Sequence, residues 1–230
     1  MNTDIIKMNI VDSALNPVQS QKYNLILADP PWTYKRQNGR GTINQSAGDI
    51  RYKTLSLSDL KQMELPAEDD CALLLWVTMP LLDKGLELMN AWGFTYKTNF
   101  FTWVKTNKKS GTPFFGAGSY TAANVELLLL GVKGKITQFK KKHVSSVIMQ
   151  PVRGHSQKPE CIKDKIHEIY PDIQKLEMFA RCTVNPHYHY FGNQIEKYHG
   201  MNETEIQTVL KQESAEQRQK KKKRKLTNNK

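Results

Sequence analysis

Six short, almost uninterrupted runs of apolar residues recur along this chain, and they constrain its fold more than any other feature. The runs cover residues 23–28, 71–77, 100–104, 125–132, 176–180 and 188–191. A strand with one face in water alternates polar and apolar residues, whereas a strand covered on both faces does not. The runs therefore predict strands of a largely parallel sheet with both faces covered.

Segments with helical spacing lie between several of these runs. They cover residues 56–63, 81–92 and 159–170. Pro80 precedes the second segment and Gly93 follows it, which is the usual asymmetry of helix ends, and Pro171 stops the third. The alternation of strand and helix predicts an α/β fold with a doubly wound, mostly parallel sheet, where ligands bind at the carboxyl ends of strands.

The length of 230 residues suits one domain and a tail. We expect the α/β domain to cover residues 1–200, and a polar helix with a basic tail to cover residues 201–230. Three polar stretches are predicted to be loops beside the ligand-binding, carboxyl ends of the strands. They cover residues 35–49, 105–123 and 133–154.

The net charge of +12 is concentrated near the C-terminus. Residues 211–230 hold nine Lys or Arg and two Glu, a net charge of +7, which leaves +5 for the rest. A basic chain suits a polyanionic partner. The basic hexamer 220–225 predicts nuclear localisation or an arm that binds phosphate, and a solvated disordered run is the alternative.

Several classes of protein are disfavoured by the composition. Cys71, Cys161 and Cys182 are scattered and form no Cys-x-x-Cys pair, so neither a disulfide framework nor a metal site is expected. His187 and His189 alternate along the chain, which is more typical of surface residues than of metal ligands. No apolar run is long enough to span a bilayer, and we expect a soluble intracellular protein.

The first apolar run ends in Asp29-Pro30-Pro31-Trp32, a pattern suited to methylation of an exocyclic amine. The lone pair of adenine N6 is delocalised into the ring, so a site must localise it. A carboxylate and a proline carbonyl can each accept one N–H, while two fixed φ angles hold those acceptors in place. Trp32 offers a face for stacking. On four residues alone, a strand followed by a turn is an equally good interpretation.

Further short blocks of sequence, which follow one another along the chain in a fixed order, resolve that ambiguity. With them the chain closely resembles the MT-A70 family of S-adenosylmethionine-dependent N6-adenine methyltransferases, over residues 9–194. The resemblance implies a Rossmann-like methyltransferase fold of the permuted amino-methyltransferase class. The blocks are Ala28-Asp29-Pro30-Pro31-Trp32, Tyr52-Lys53-Thr54-Leu55, Leu75-Trp76-Val77-Thr78, Trp103-Val104-Lys105-Thr106-Asn107, Gly131-Val132-Lys133-Gly134, His155-Ser156-Gln157-Lys158-Pro159, Leu176-Glu177-Met178-Phe179-Ala180-Arg181 and Gly192-Asn193-Gln194.

The resemblance also implies a set of residues that bind S-adenosylmethionine. Lys158 corresponds to a ligand of the methionine carboxylate, with a solvated surface lysine as the alternative. Asn193 and Gln194 correspond to ligands of the ribose hydroxyls, with Arg181 nearby; a polar turn is their alternative.

Two more cofactor contacts follow from the resemblance. Asn9 and Ile10 match a pair that frames the cofactor adenine, although Asn stands where the family has Asp. Asp29 is expected to meet the methionine amine as well as the target N6.

On the substrate side, Tyr52 matches a tyrosine of a mobile loop, and Trp32 would stack on the flipped base. For Trp76 we prefer a plain core position, because it sits inside an apolar run. Lys105 and Glu126 match positions at the rim of the site and at a subunit contact, and satisfied surface ions are equally good interpretations.

The predicted reaction is direct in-line methyl transfer without a covalent enzyme intermediate. DNA is the favoured substrate, as in the compact protist-type members, because the chain lacks the Cys-Cys-Cys-His fingers of mRNA-modifying members; RNA is the alternative. The family pattern implies a heterodimer with an MT-A70-like paralogue. An inactive scaffold subunit and a pure nucleic-acid-binding module are rival interpretations, disfavoured because the motifs are intact.

Overall fold

A mixed seven-stranded sheet forms the centre of the computed structural model. The structure describes residues 20–33, 54–116, 118, 120–136, 143–153, 157–183, 185–198, 201, 205, 206, 208, 209 and 212. The strands within these residues are β1 Tyr23–Ala28, β2 Ala67–Thr78, β3 Thr95–Thr106, β4 Val125–Lys133, β5 Val147–Pro151, β6 Lys175–Met178 and β7 His189–Phe191. The helices are α1 Leu57–Lys61, α2 Leu82–Ala91 and α3 Cys161–Ile169, with 3₁₀ turns at Met79–Leu81 and Glu196–Tyr198.

The strand order is β5-β3-β4-β2-β1-β6-β7. β4 is antiparallel to both of its neighbours, while every other pairing in the sheet is parallel. Strands β1, β2, β3, β5, β6 and β7 therefore run in one direction, and their carboxyl ends share one edge of the sheet, the carboxyl edge. The predicted doubly wound, mostly parallel sheet of a Rossmann-like methyltransferase fold is confirmed.

The two faces of the sheet support separate apolar clusters. Along β1, Ile26 and Ala28 pack in the cluster that includes Leu60 of α1 and Leu88 of α2, whereas Leu25 packs in the cluster of α3. Burying one such aliphatic side chain stabilises the fold by about 1.5–3 kcal/mol. This two-sided coverage explains why the runs do not alternate.

The helices begin and end close to the predicted positions, for local reasons. Ser56 caps α1: its hydroxyl accepts from the Asp59 amide at 3.1 Å, and the Asp59 carboxylate accepts from the Ser56 amide at 3.1 Å. Gly93, with φ of +82°, follows α2 and allows the left-handed turn that leads into β3.

The predicted loop 133–154 was wrong in part, because it contains the edge strand β5. Of the apolar residues in β5, only Ile148 is buried. The strand therefore lacks the continuous apolar run that marked the other strands. Similarly, Lys105 and Thr106 belong to β3 and not to the predicted loop 105–123. The predicted loop 35–49 lies outside the described residues.

The predicted boundary at residue 200 stays a prediction. Beyond it, Ile206 is fully buried and packs with Cys182 and Tyr198, so part of the C-terminal segment contacts the domain. No helix in the described part of the chain is long and apolar enough to cross a membrane.

Candidate active site

A cavity of about 310 Å³ opens at the carboxyl edge, between the ends of β1, β2, β6 and β7. It brings eight predicted site residues together: Asp29, Pro30, Pro31, Trp32, Lys158, Arg181, Asn193 and Gln194. The other predicted site residues, Tyr52, Asn9 and Ile10, lie outside the described residues.

The turn after β1 is fixed by hydrogen bonds. The Trp32 amide donates to the Pro30 carbonyl at 2.8 Å, and the Leu55 amide donates to the Pro31 carbonyl at 2.9 Å. The Thr33 hydroxyl donates to the Leu55 carbonyl at 2.9 Å. A carbonyl oxygen has two lone pairs, so each proline carbonyl is oriented by one bond and can still accept another.

Trp32 and Trp76 form part of the cavity wall from within the core. Trp32 is 7% exposed, and its indole N–H donates to the Trp76 carbonyl at 3.4 Å. Trp76 is 2% exposed, as its core interpretation predicted, and the Lys158 ammonium lies 5.5 Å from its ring centroid. The stacking of Trp32 on the target base stays a prediction, and little of the indole face is open to the cavity.

Four charged side chains form a continuous chain, the charge chain Lys105–Glu126–Lys158–Asp29, of which the last three line the cavity. The Lys158 ammonium lies 2.7 Å from Asp29 Oδ2 and 3.3 Å from Glu126 Oε2. The Lys105 ammonium lies 2.6 Å from Glu126 Oε1. Lys158 is therefore shared by two carboxylates, and Glu126 by two ammonium groups.

Burial and neighbouring charge oppose each other along this chain. Burial raises the pKa of Asp29, and Glu126 adds to that increase, whereas the Lys158 ammonium opposes it. Burial alone would raise the pKa of Glu126, but the ammonium groups of Lys158 and Lys105 lower it. The two carboxylates outweigh burial at Lys158 and raise its pKa. The net result is a raised pKa at Asp29 and Lys158 and a lowered pKa at Glu126.

The opposite wall of the cavity comes from the ends of β6 and β7. Phe179 adopts φ of +63°, which is rare for an aromatic residue, and turns the chain sharply toward Arg181. A Cβ at Gly192 would lie 1.9 Å from the Ala180 carbonyl oxygen, so glycine is required there. This close approach places Asn193 and Gln194 beside Arg181.

A second cavity, of about 350 Å³, adjoins the first and shares Asp29, Lys158 and Arg181 with it. It lies between α3 and the segment after β6. Tyr190 holds that segment: its hydroxyl accepts from the Asn185 amide at 2.8 Å and donates to the Asn185 carbonyl at 2.5 Å. This side of the site therefore rests on a hydrogen-bonded support.

Glu126 is the site residue whose importance the sequence understated. It was predicted to lie at a rim or to be a surface ion, yet its side chain is 10% exposed and lines the cavity. A single carboxylate inside the apolar run 125–132 was the available signal, because a charge in such a strand needs a buried partner.

The alternating histidines make separate contacts. His189 Nδ1 lies 2.8 Å from the Tyr23 hydroxyl, and His187 stacks on His167 with ring centroids 3.6 Å apart. Within the described residues, no group of three or more His, Cys, Asp or Glu side chains is placed to hold a metal ion.

The fold and the cavity define a class of protein: a Rossmann-like methyltransferase with an Asp-Pro-Pro-Trp turn. The family model for MT-A70 matches residues 23–194, and the chain belongs to this family of adenine N6-methyltransferases, which use S-adenosylmethionine as methyl donor.

Known relatives differ greatly in how much of their length the chain covers. It is 34% identical to the type II methyltransferase M.MunI of Mycoplasma sp over 76% of this chain and 79% of that protein. It is 31% identical to the human N(6)-adenosine-methyltransferase catalytic subunit METTL3 over 77% of this chain, but spans 29% of METTL3. It is 29% identical to the Drosophila melanogaster MT-A70-like N(6)-adenosine-methyltransferase, of which it spans 27%.

Proposed function

We propose that this chain transfers a methyl group from S-adenosylmethionine to N6 of adenine in nucleic acid, with DNA as the preferred substrate. One observation carries the proposal. The oriented acceptors of the Asp29-Pro30 turn and the candidate cofactor ligands Lys158, Asn193 and Gln194 face one cavity. A target amine and a methyl donor can therefore meet there.

The amine is activated by position. The Asp29 carboxylate accepts one N–H of the target amine and the free lone pair of the Pro30 carbonyl accepts the other, which leaves the nitrogen lone pair directed into the cavity. Bound S-adenosylmethionine supplies an electrophilic methyl group on a sulfonium. As the bond between N6 and the methyl group would form, the bond from that methyl to sulfur would break, and N6 would give up the proton that the Asp29 carboxylate accepts. Alignment and the exclusion of water supply most of the catalysis.

The donor set in the wall fits the cofactor. A carboxylate suits the Lys158 ammonium, an amine suits Asp29, and ribose hydroxyls suit the side-chain amides of Asn193 and Gln194. Arg181 borders the same space. The roles of Asn9, Ile10 and Tyr52 stay proposals from the family resemblance.

The preference for DNA is supported by the similarity to a type II methyltransferase, 34% identical over 191 residues, against 31% over 181 residues for the METTL3 catalytic subunit. METTL3 supports the alternative, methylation of RNA. An inactive scaffold is disfavoured because Asp29 and Lys158 are both present and paired at 2.7 Å.

The deciding experiment is a transfer assay with methyl-labelled S-adenosylmethionine on DNA and RNA oligonucleotides of the same sequence, each single- and double-stranded. We expect label on adenine N6 and a higher kcat/KM for DNA. Asp29→Ala is the matched negative control. Transfer to RNA alone would overturn the DNA preference, and no transfer to either, with bound cofactor, would favour the scaffold.

A paralogous partner subunit is proposed as well. Val147 and Met149 of the edge strand β5 are 49% and 58% exposed, so this strand presents apolar side chains to solvent. The edge strand itself resists extension, because the Ser145 hydroxyl bonds both the amide and the carbonyl of Val147, and Pro151 lacks an amide. A partner would therefore pack on side chains. Light scattering and transfer rates with and without an MT-A70-like paralogue test this; full activity of a verified monomer contradicts it.

Nuclear localisation by residues 220–225 also stays a proposal. Deletion after Gln219 should reduce nuclear accumulation and weaken nucleic-acid binding more at low salt than at high salt. Cofactor affinity should not change. Equal accumulation and an equal salt slope would leave only the solvated-run interpretation.

A further inference from the structure

The loop between β3 and β4, residues 107–124, leaves the sheet at the same edge as Asp29. β3 and β1 run in the same direction, and β4 and β2 lie between them. Three strand spacings separate β3 from β1, a lateral distance of about 14 Å. Along one nucleic-acid strand, this corresponds to roughly four nucleotides at about 3.4 Å each.

The described part of this loop is built by specific hydrogen bonds. The Phe114 amide donates to the Lys105 carbonyl at 2.8 Å, and the Lys105 amide donates to the Asn124 carbonyl at 2.8 Å. Between the two arms, the Ala123 amide donates to the Gly116 carbonyl at 3.1 Å. A Cβ at Gly116 would lie 2.4 Å from the Ala123 oxygen, so the arms approach where glycine allows it. The described part of the loop is thus held in a defined shape.

Despite this order, two of its three aromatic rings are left in solvent. Phe115 is 76% exposed and Tyr120 is 90% exposed, the highest values among the exposed large hydrophobic side chains of the described residues. Lys108 and Lys109 are exposed on the same loop. Aromatic faces beside lysines are the combination that binds single-stranded nucleic acid, because bases stack on the rings and phosphates pair with the ammonium groups.

We propose that this loop is a stacking platform for the single-stranded nucleic acid that flanks the target adenine. Phe115 and Tyr120 stack on bases about four nucleotides from the target, and Lys108 and Lys109 contact phosphates. The proposal rests on the proposed function, since it places the target at Asp29. A target adenine must leave its stack to reach the cavity, and rings that hold the unstacked flank would offset part of that cost.

The test measures binding of labelled single-stranded oligonucleotides whose flank on either side of one adenine grows from one to eight nucleotides. Wild-type affinity should rise about tenfold when one flank passes roughly four nucleotides. Phe115→Ala with Tyr120→Ala should abolish this rise, and Phe115→Trp with Tyr120→Trp should restore it. Cofactor affinity of both variants should equal that of wild type, which shows that they are folded.

Matched controls lie at the opposite edge of the sheet. Tyr96, 46% exposed near the start of β3, should tolerate alanine with no loss of affinity.

Lys108→Ser with Lys109→Ser should reduce the slope of log affinity against log salt by about 0.7 per lysine. Lys22→Ser with Lys97→Ser should change it less.

The outcomes separate the two proposals. Methyl transfer by wild type with an affinity that does not depend on Phe115 and Tyr120 would overturn the platform alone. Loop-dependent binding without methyl transfer would overturn the proposed function and support the platform. If the alanine pair changes the molar mass in light scattering while nucleic-acid affinity stays at the wild-type value, the loop is a protein interface and the platform is wrong.

Discussion

Two groups of partly buried ions border the two adjoining cavities, and they are built differently. In the charge chain Lys105–Glu126–Lys158–Asp29, each inner member has two partners of opposite sign. Behind it, α3 and β6 are joined by the ion pair of Lys163 and Glu177, at 2.5 Å. The side chains of that pair are 16% and 19% exposed.

The difference indicates different tasks. An ion with two partners can lose one to a ligand and stay compensated, which suits a site that must admit a charged cofactor. Removing one member of a buried ion pair that joins two elements, by contrast, leaves the other charge buried and destabilises the fold. We therefore interpret the charge chain as functional and the Lys163–Glu177 pair as structural, and the following predictions test that distinction.

The largest effect is expected for Asp29→Ala. It removes an acceptor that binds the amine most strongly in the transition state, so kcat/KM should fall at least about 100-fold. Asp29→Asn should be nearly as severe, because an amide presents a donor. Melting temperatures should stay close to wild type, since Lys158 keeps Glu126. A folded Asp29→Ala variant within tenfold of wild-type activity would refute the role.

Lys163→Met should act on stability. The Glu177 carboxylate would be left buried, at a cost of about 3–5 kcal/mol in the free energy of unfolding measured with urea. Adding Glu177→Leu should restore most of that loss, because an apolar pair replaces the ion pair. If the double variant is stable but binds S-adenosylmethionine poorly, the pair belongs to the site and the distinction fails.

Lys158→Ala should act on cofactor binding. Loss of one charged hydrogen bond predicts an affinity weaker by about 1.5–3 kcal/mol in calorimetry. Lys22→Ala, at an exposed position of the opposite edge, is the control and should leave affinity unchanged. Equal cofactor affinity of the Lys158 variant and wild type would show that Lys158 does not contact the cofactor.

Glu126→Gln should have the smallest effect, a shift of the pH profile. Asp29 must be ionised to accept the amine, and Glu126 helps to raise the pKa of Asp29. As the pH is lowered, the activity of wild type should therefore fall at a pH above the usual range for Asp. In Glu126→Gln, this acidic limb of the pH profile should lie at lower pH. An unchanged or upward-shifted limb in kcat against pH would contradict the coupling.

Glu126→Gln also tests stability. The pKa of Glu126 is lowered by folding from its ordinary value of 4.5. Its charge therefore stabilises the fold above that pH, and the stabilisation is lost as the pH falls through the lower, folded-state pKa. The stability difference between wild type and Glu126→Gln should be present at neutral pH and shrink on acidification. A constant difference across that range would mean that the carboxylate charge is not responsible.

Predictions from sequence succeeded where the signal was local and failed where it depended on partners in space. β1 was predicted with its observed bounds, because both faces of a central strand require apolar residues. β5 was missed, because an edge strand with one buried side chain gains its stability from backbone pairing with β3. Glu126 was misjudged for a related reason, since its two lysines lie 21 residues before it and 32 after it in the chain.

The sequence by itself determined the class of fold, the Asp-Pro-Pro-Trp turn and the family, because apolar continuity, proline geometry and ordered motifs are properties of neighbouring residues. Only the tertiary structure decided which charges share partners, that Trp32 is largely covered, and that Phe115 and Tyr120 stay in solvent. The physical reason is that burial and Coulomb energy depend on distances between segments far apart in the chain. The sheet order, with β4 reversed between β2 and β3, sets those distances.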